Sequence, residues 1–370
     1  MSTDRQAEMD GYAVREDIQF NCDISDARGH DLYSMCTMVL KLRNLYKWEK
    51  GIEPWEEPEP SDLLEWIDAR EQYWQTIVDK PYRSLSLDGV DYSPDDVAAI
   101  NDKLRDAGLV YGSGYGRSMK AVFFLAERIE QRSVCGCRVI IMGKQRAKEM
   151  ASPFAMAQQG IVYIHKENLR YFLWDQIQEL RSCNRAAFRH AMALHGVIKD
   201  GKLEQALLKT KFDAIVEEEM DLFIYHEVGE ILQTTLDSAM LERIITTFPA
   251  SVIELVCRSL KDILADTHPR GLLYHLISER REASLSLYVG LLDGMRKELF
   301  PEIFEACKNF SGGADWSAIS QAQEKCRKRS LALAHKIREI GATIGEDSDD
   351  HVLQRFNTSI IAPLGLDVPQ

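Results

Sequence analysis

The sequence predicts a mainly α-helical protein, with an α+β N-terminal part built on a small mixed or antiparallel sheet and then an α-helical array. Three observations carry this reading. Apolar residues recur at helical spacing through 30–48 and 61–78. Short apolar runs separated by glycine clusters fill 82–165. From Glu167 onward a helical period dominates. A chain of 370 residues is longer than one compact core usually serves, so more than one domain is expected. The expected parts are an N-terminal helical segment over 1–80, a sheet region over 81–166, a helical domain over 167–345 and a polar tail over 346–370.

Residues 1–20 are polar and charged and read as a loose lead-in. From His30 to Trp48, Leu32, Met35, Val39, Leu42 and Leu45 fall at helical spacing, with Asp31 as N-cap and Gly51 as stop. The acidic, proline-rich stretch from Glu53 to Pro60 is a connector. Ser61 caps a second helix that runs to about Val78. Leu85–Leu87, Ala121–Ile129, Arg138–Met142 and Ile161–His165 read as strands, with helices near Pro94–Ala107 and Gln145–Gln159 between them. Later helices are expected over 167–183, 184–195, 202–238, 250–265, 271–282, 284–308 and 315–341, punctuated by Pro249, Pro269, Gly271, Pro301 and Gly312-Gly313.

Composition narrows the function classes. A net charge of −13 and a pI of about 5.3 argue against nucleic acid or an anionic membrane as the main partner. The first twenty residues hold no apolar h-region, so a secretory signal is not expected, and the longest apolar runs are too short to span a bilayer. The 8 cysteines are scattered, which fits reduced thiols in a cytoplasmic protein.

The densest chemistry lies in Tyr225-His226-Glu227-Val228-Gly229-Glu230, an H-E-x-x-E pattern inside a helical segment. A helix turns about 100° per residue, so His226 and Glu230 share a face. Glu219, seven residues earlier, falls on the same stripe, whereas Glu217, Glu218, Asp221 and Tyr225 fall roughly opposite. If the acidic side meets water, Glu219, His226 and Glu230 face inward, where carboxylates need a partner such as a metal ion. The pattern lacks the second imidazole of H-E-x-x-H and reverses the E-x-x-H order of di-iron bundles.

Other candidates carry less. Glu254, Arg258, Asp262 and Asp266 form an i, i+4 series that reads as a solvated ridge, although Glu254 or Asp262 would meet the His226 helix if the two pack as a hairpin. His190 and His195 are about 140° apart on a helix and make poor co-ligands. Cys135-Gly136-Cys137 places two thiols in a hairpin turn with no second pair to complete a zinc site. The glycine-rich stretch from Gly112 to Ser118 has a cation but runs into a strand-like segment rather than a helix N-terminus, so a flexible turn is expected there. Tyr46, Trp48, Trp55, Trp66, Tyr73 and Trp74 cluster for packing between the first helices.

Asn21-Cys22-Asp23-Ile24-Ser25-Asp26-Ala27, Leu42-Arg43-Asn44-Leu45-Tyr46-Lys47-Trp48-Glu49 and the Tyr225–Glu230 stretch resemble an uncharacterised bacterial family. The likeness covers most of the chain. It implies a cytoplasmic bacterial protein and carries over no activity and no functional residues.

The leading expectation is therefore a metal-binding protein, extending to a metalloenzyme. His226 and Glu230 would touch the ion, and Glu219 would be a third ligand or an acceptor for the imidazole. Glu227 lies off that stripe and is placed as a neighbouring catalytic base or as a ligand for a second ion. Mixed nitrogen and oxygen ligation admits Fe, Mn or Zn. The rival is a non-catalytic interaction or scaffold protein with a protein partner and a structural His/Glu seam. Convergence of Glu219, His226 and Glu230 with a further ligand from another helix favours the first. Pairing with lysine or arginine, Arg258 first, favours the second.

Overall fold

The computed structural model describes residues 2–116, 119–179, 185–292, 294–308, 313 and 315–366, with side chains from Val14 onward except at 179 and 185. The chain divides into two compact units, Met1–Arg132 with Arg138–Asp175 and Ser133–Cys137 with Gln176–Gln370. The helices of 1–80 and the sheet region of 81–166 thus share the first unit, apart from Ser133–Cys137.

The first unit opens with α1 (Ser2–Gly29), α2 (Met35–Lys50) and α3 (Pro60–Ile77). Ser34, not Asp31, caps α2 by accepting from the Thr37 amide, and Gly51 ends it in the left-handed region at φ 66°, where a Cβ would strain. Residues 2–20 are not a loose lead-in but most of α1. Val14, Ile18 and Cys22, spaced four apart, are fully buried, and the surrounding charges masked that sparse stripe. Leu42, Leu45, Ile67 and Trp74 form a core among these helices, and the Tyr46 and Trp66 rings meet edge-on at 5.4 Å.

There follow β1 (Leu85–Leu87), β2 (Val90–Tyr92), α4 (Val97–Leu104), β3 (Leu109–Tyr115), β4 (Ala121–Val134), β5 (Cys137–Ala147), β6 (Ala155–Gln158), β7 (Ile161–His165) and α5 (Lys166–Glu179). The main sheet is mixed, in the order β3-β4-β5-β7-β6, with β5 and β7 parallel. Cys135 and Gly136 both have positive φ, 51° and 87°, as a two-residue hairpin turn between β4 and β5 requires.

Two expectations fail here. Gly112–Tyr115 is part of β3 rather than a flexible turn. A Cβ on Gly112 would lie 2.1 Å from the Phe124 ring, so glycine is what lets that ring cross the neighbouring strand. Arg117 and Ser118 lie outside the described residues. The helix expected over Gln145–Gln159 is absent, because β5 continues to Ala147 and Ala155–Gln158 pairs with β7 after the break at Pro153.

α1 buries polar groups as well as apolar ones, and each has a partner. The Asn21 amide brackets the Arg83 backbone at 2.9 and 2.7 Å, and Ser25 donates to the Ala121 carbonyl. Lys120 Nζ donates to Asp26 at 2.9 Å and to Glu149 at 2.7 Å. The remaining oxygens of these carboxylates accept from the Met150 amide (2.7 Å) and the Phe123 amide (2.8 Å). A buried charge is tolerated only when paired and hydrogen-bonded in this way.

In the second unit come α6 (Arg185–Leu194), β8 (Ile198–Lys199), β9 (Lys202–Leu203), α7 (Gln205–Leu232), α8 (Ser238–Thr247), α9 (Val252–Asp266) and α10 (Leu272–Ser278). Then follow α11 (Glu282–Leu291), α12 (Gly294–Leu299), α13 (Pro301–Ala306), α14 (Trp316–Gly341) and α15 (Asp349–Phe356). The helix expected over 202–238 is shorter, since Lys202 and Leu203 pair back on Ile198 and Lys199, and Asp237 caps the separate α8. The helix expected over 284–308 is three pieces, the last started by Pro301. The segment 346–370 is not simply a polar tail. Ser348 caps α15, and Val352, Phe356, Ile360 and Ile361 are buried, four apolar residues in a stretch whose acidic start hides them. Residues 367–370 lie outside the described part, as does Cys183. Among the described residues no helix is long and apolar enough to cross a membrane.

Removing the ammonium that bridges Asp26 and Glu149 leaves two buried carboxylates facing each other. Lys120→Ala is expected to lower unfolding stability by about 3–5 kcal/mol, read as a shift of the urea midpoint. An unchanged midpoint would contradict the assigned role of this bridge.

Candidate metal centre

The chemistry of the second unit gathers where α7 meets α9. Each helix has a side-chain N-cap: Glu204 accepts from the Ala206 amide and Ser251 from the Glu254 amide. Gly229 sets their separation. A Cβ built on it would lie 2.3 Å from the Ala265 carbonyl oxygen, closer than any Cβ approaches such an atom. The two helices therefore touch backbone to backbone, and the residues flanking Gly229 are carried onto α9.

His226 and Glu230 flank Gly229 on α7, and Asp262 and Asp266 stand one turn apart on α9. His226 Nδ1 lies 2.7 Å from Asp266 Oδ1, and Asp266 Oδ2 accepts from the Tyr288 hydroxyl at 3.0 Å. His226 Nε2 points to Glu230 Oε1 at 3.8 Å. One ligand-type atom from each of His226, Glu230 and Asp262 lies within 4.8 Å of the others. Lys261 Nζ donates to the other Glu230 oxygen at 2.8 Å.

The electrostatics follow from this crowding. Burial pulls the His226 pKa down, but the Asp266 carboxylate and its hydrogen bond, with Glu227 and Asp262 behind it, outweigh burial and raise the imidazole to about 10. Burial and then the neighbouring Glu230 charge push Glu227 well above the usual carboxylate range. Asp262 is also raised, by burial above all, against the pull of His226. Glu230 moves the other way, because Lys261 and His226 overcome its burial.

The structure brings His226 and Glu230 together but not Glu219. Glu219 shares their stripe, yet seven residues are about 10 Å along a helix axis, too far for one ion. Its Oε1 instead meets His195 Nε2 at 2.8 Å, and it is fully buried. Glu227 is buried beside the cluster, outside the three-atom group. Asp262, read as part of a solvated ridge, turns inward because α7 approaches so closely. Arg258 pairs with Glu254 at 2.8 Å rather than with the His226 group. His190 meets Glu282 at 2.8 Å, so His190 and His195 serve different carboxylates. Cys135 is exposed and Cys137 buried, both as free thiols, and neither joins a group of metal-type ligands among the described residues. Sequence reasoning missed Lys261 and Tyr288. The only available signal for Lys261 was its place beside Asp262, and Tyr288, 22 residues from Asp266, gave none.

Gly229→Ala should therefore act on fold and site together. It is expected to lower unfolding stability by about 1–3 kcal/mol and to separate His226 from Asp266, readable as loss of the perturbed imidazole titration in an NMR pH series. A variant with wild-type stability and an unchanged His226 titration would contradict the close approach.

Residues 13–165 match the Family of unknown function (DUF6866) N-terminal domain, and residues 170–359 match the Family of unknown function (DUF6866) C-terminal domain. No curated protein and no solved structure matches the chain. The two family matches follow one another along most of the chain, which therefore belongs to the family of unknown function DUF6866.

Proposed function

We propose that this chain is a metal-binding protein that holds a divalent cation between α7 and α9 on His226, Glu230 and Asp262. The observation that carries the reading is the meeting of an imidazole nitrogen and two carboxylates from two helices within 4.8 Å, with Nε2 facing Glu230 at 3.8 Å and Asp266 holding Nδ1 at 2.7 Å. A carboxylate behind a ligating histidine fixes the ring and its tautomer, and here it leaves Nε2 for the ion.

One nitrogen and two oxygens admit Fe, Mn or Zn. Three protein ligands leave room for water; Glu227, buried alongside and driven toward its protonated form in the ion-free site, would serve as base for that water only once the cation's charge has drawn off its proton. With zinc this set supports hydrolysis by activated water, and with iron at an open position it supports oxygen chemistry.

A second reading rests on the Lys261–Glu230 contact at 2.8 Å. In it the cluster is a structural seam, and the helical array serves a protein partner.

Elemental analysis of purified, untagged protein separates the two. Near-stoichiometric Fe, Mn or Zn, lost in His226→Ala and in Asp262→Ala, is the expected result. No metal after anaerobic reconstitution with each ion would overturn the proposal and leave the seam. The affinity for added Zn should also rise with pH, because His226 is held protonated far above neutrality and must release that proton to ligate. The expected slope between about pH 6 and pH 8 is about tenfold per unit for each proton expelled, and a flat profile would count against ligation through Nε2.

A further inference from the structure

The main sheet of the first unit carries a pocket of about 170 Å³ where α4 meets the ends of β3, β4, β5 and β7. Val110, Ile140, Ile161 and Tyr163 line its floor, all from the sheet face whose apolar residues pack together. Three arginines are among its lining residues, Arg105 after α4, Arg128 on β4 and Arg138 on β5. The sole carboxylate in its lining is Asp102, already paired with Arg105. Arg138 donates to the neutral Gln131 amide at 2.8 Å and Arg128 to the Arg105 carbonyl at 3.4 Å. Among the described residues neither Arg128 nor Arg138 forms an ion pair, in a chain whose net charge is −13.

We infer that this pocket binds a small organic anion, a carboxylate or phosphate carried on an apolar body the size of a six-membered ring. The inference does not draw on the α7–α9 site. Size sets the body: a cavity of about 150 Å³ accepts benzene, and this one is slightly larger. Charge sets the head group. Guanidinium forks bind carboxylate and phosphate through paired, charge-assisted hydrogen bonds, and two of the three here have no competing carboxylate. An apolar floor with a few polar groups at the rim is the general form of a small-molecule site.

Benzoate is the probe, titrated into the full-length protein and followed by NMR, beside neutral benzamide and inorganic phosphate. Benzoate should bind saturably and more tightly than either control, and its affinity should fall at least about tenfold in Arg138→Gln and in Arg128→Gln. Arg138 is exposed, so its loss leaves the fold intact, and Lys308→Gln, in the other unit, should leave the affinity unchanged. Three results would overturn the inference: no benzoate binding, equal binding of benzamide, or equal binding of inorganic phosphate. Wild-type affinity in both arginine variants would do so as well.

Discussion

The contact of Gly229 with the Ala265 carbonyl is the constraint on which the second unit's chemistry depends. A glycine inside a helix costs roughly 1 kcal/mol relative to alanine, so Gly229, in the last turn of the 28-residue α7, needs a compensation. Close approach supplies it. Once the backbones touch, His226 and Glu230 on either side of the glycine are held half-buried against α9, where their polar atoms meet one another and the α9 side chains. Gly271 crowds the same oxygen from beyond the end of α9, where a Cβ would lie 2.2 Å away. Two missing side chains thus fix where Asp262 and Asp266 stand relative to His226 and Glu230.

Both units bury carboxylates, but they resolve the charge differently. Asp26 and Glu149 each accept a backbone amide and share one lysine, which gives every oxygen a strong donor. That arrangement is closed and structural. Around His226 the partners are side chains: Lys261 donates to Glu230, Asp266 meets Nδ1 and accepts from Tyr288, and burial drives Glu227 and Asp262 toward their protonated forms. Buried acids held near neutrality beside an imidazole are a common feature of sites that exchange protons or metal ions.

Much of this architecture was legible in the sequence because period and punctuation agreed. Leu85–Leu87 and Ile161–His165 are strands at the expected limits, and Gly51 ends α2 as its position suggested. The failures share a cause. In α1 and α15 the apolar stripe is thin and the charges many, so tertiary burial decided what local composition could not. Gly112 and Gly114 look like a loop in one dimension, yet Gly112 exists for a ring on the next strand. The pairing of His226 with Glu230 was readable from four-residue spacing. Of its partners on α9, Asp262 was readable only on the condition that the two helices pack as a hairpin and Asp266 was not, because their placement depends on a helix separation set by Gly229, a glycine that local pattern treats only as a weak helix former. Glu219 shares the stripe but not the site, since a stripe fixes direction and not distance along the axis; it stands instead with His195 and Glu218 in a separate group of metal-type ligands.

The central claim is a cation on His226, Glu230 and Asp262, and anomalous X-ray scattering tests it most directly. Crystals grown with Zn would be measured on both sides of the absorption edge. The account predicts an anomalous peak about 2.0–2.2 Å from His226 Nε2 and from a carboxylate oxygen of Glu230 and Asp262, with Asp266 still bonded to Nδ1. A map with no peak between α7 and α9, and with Lys261 still seated on Glu230, would contradict it.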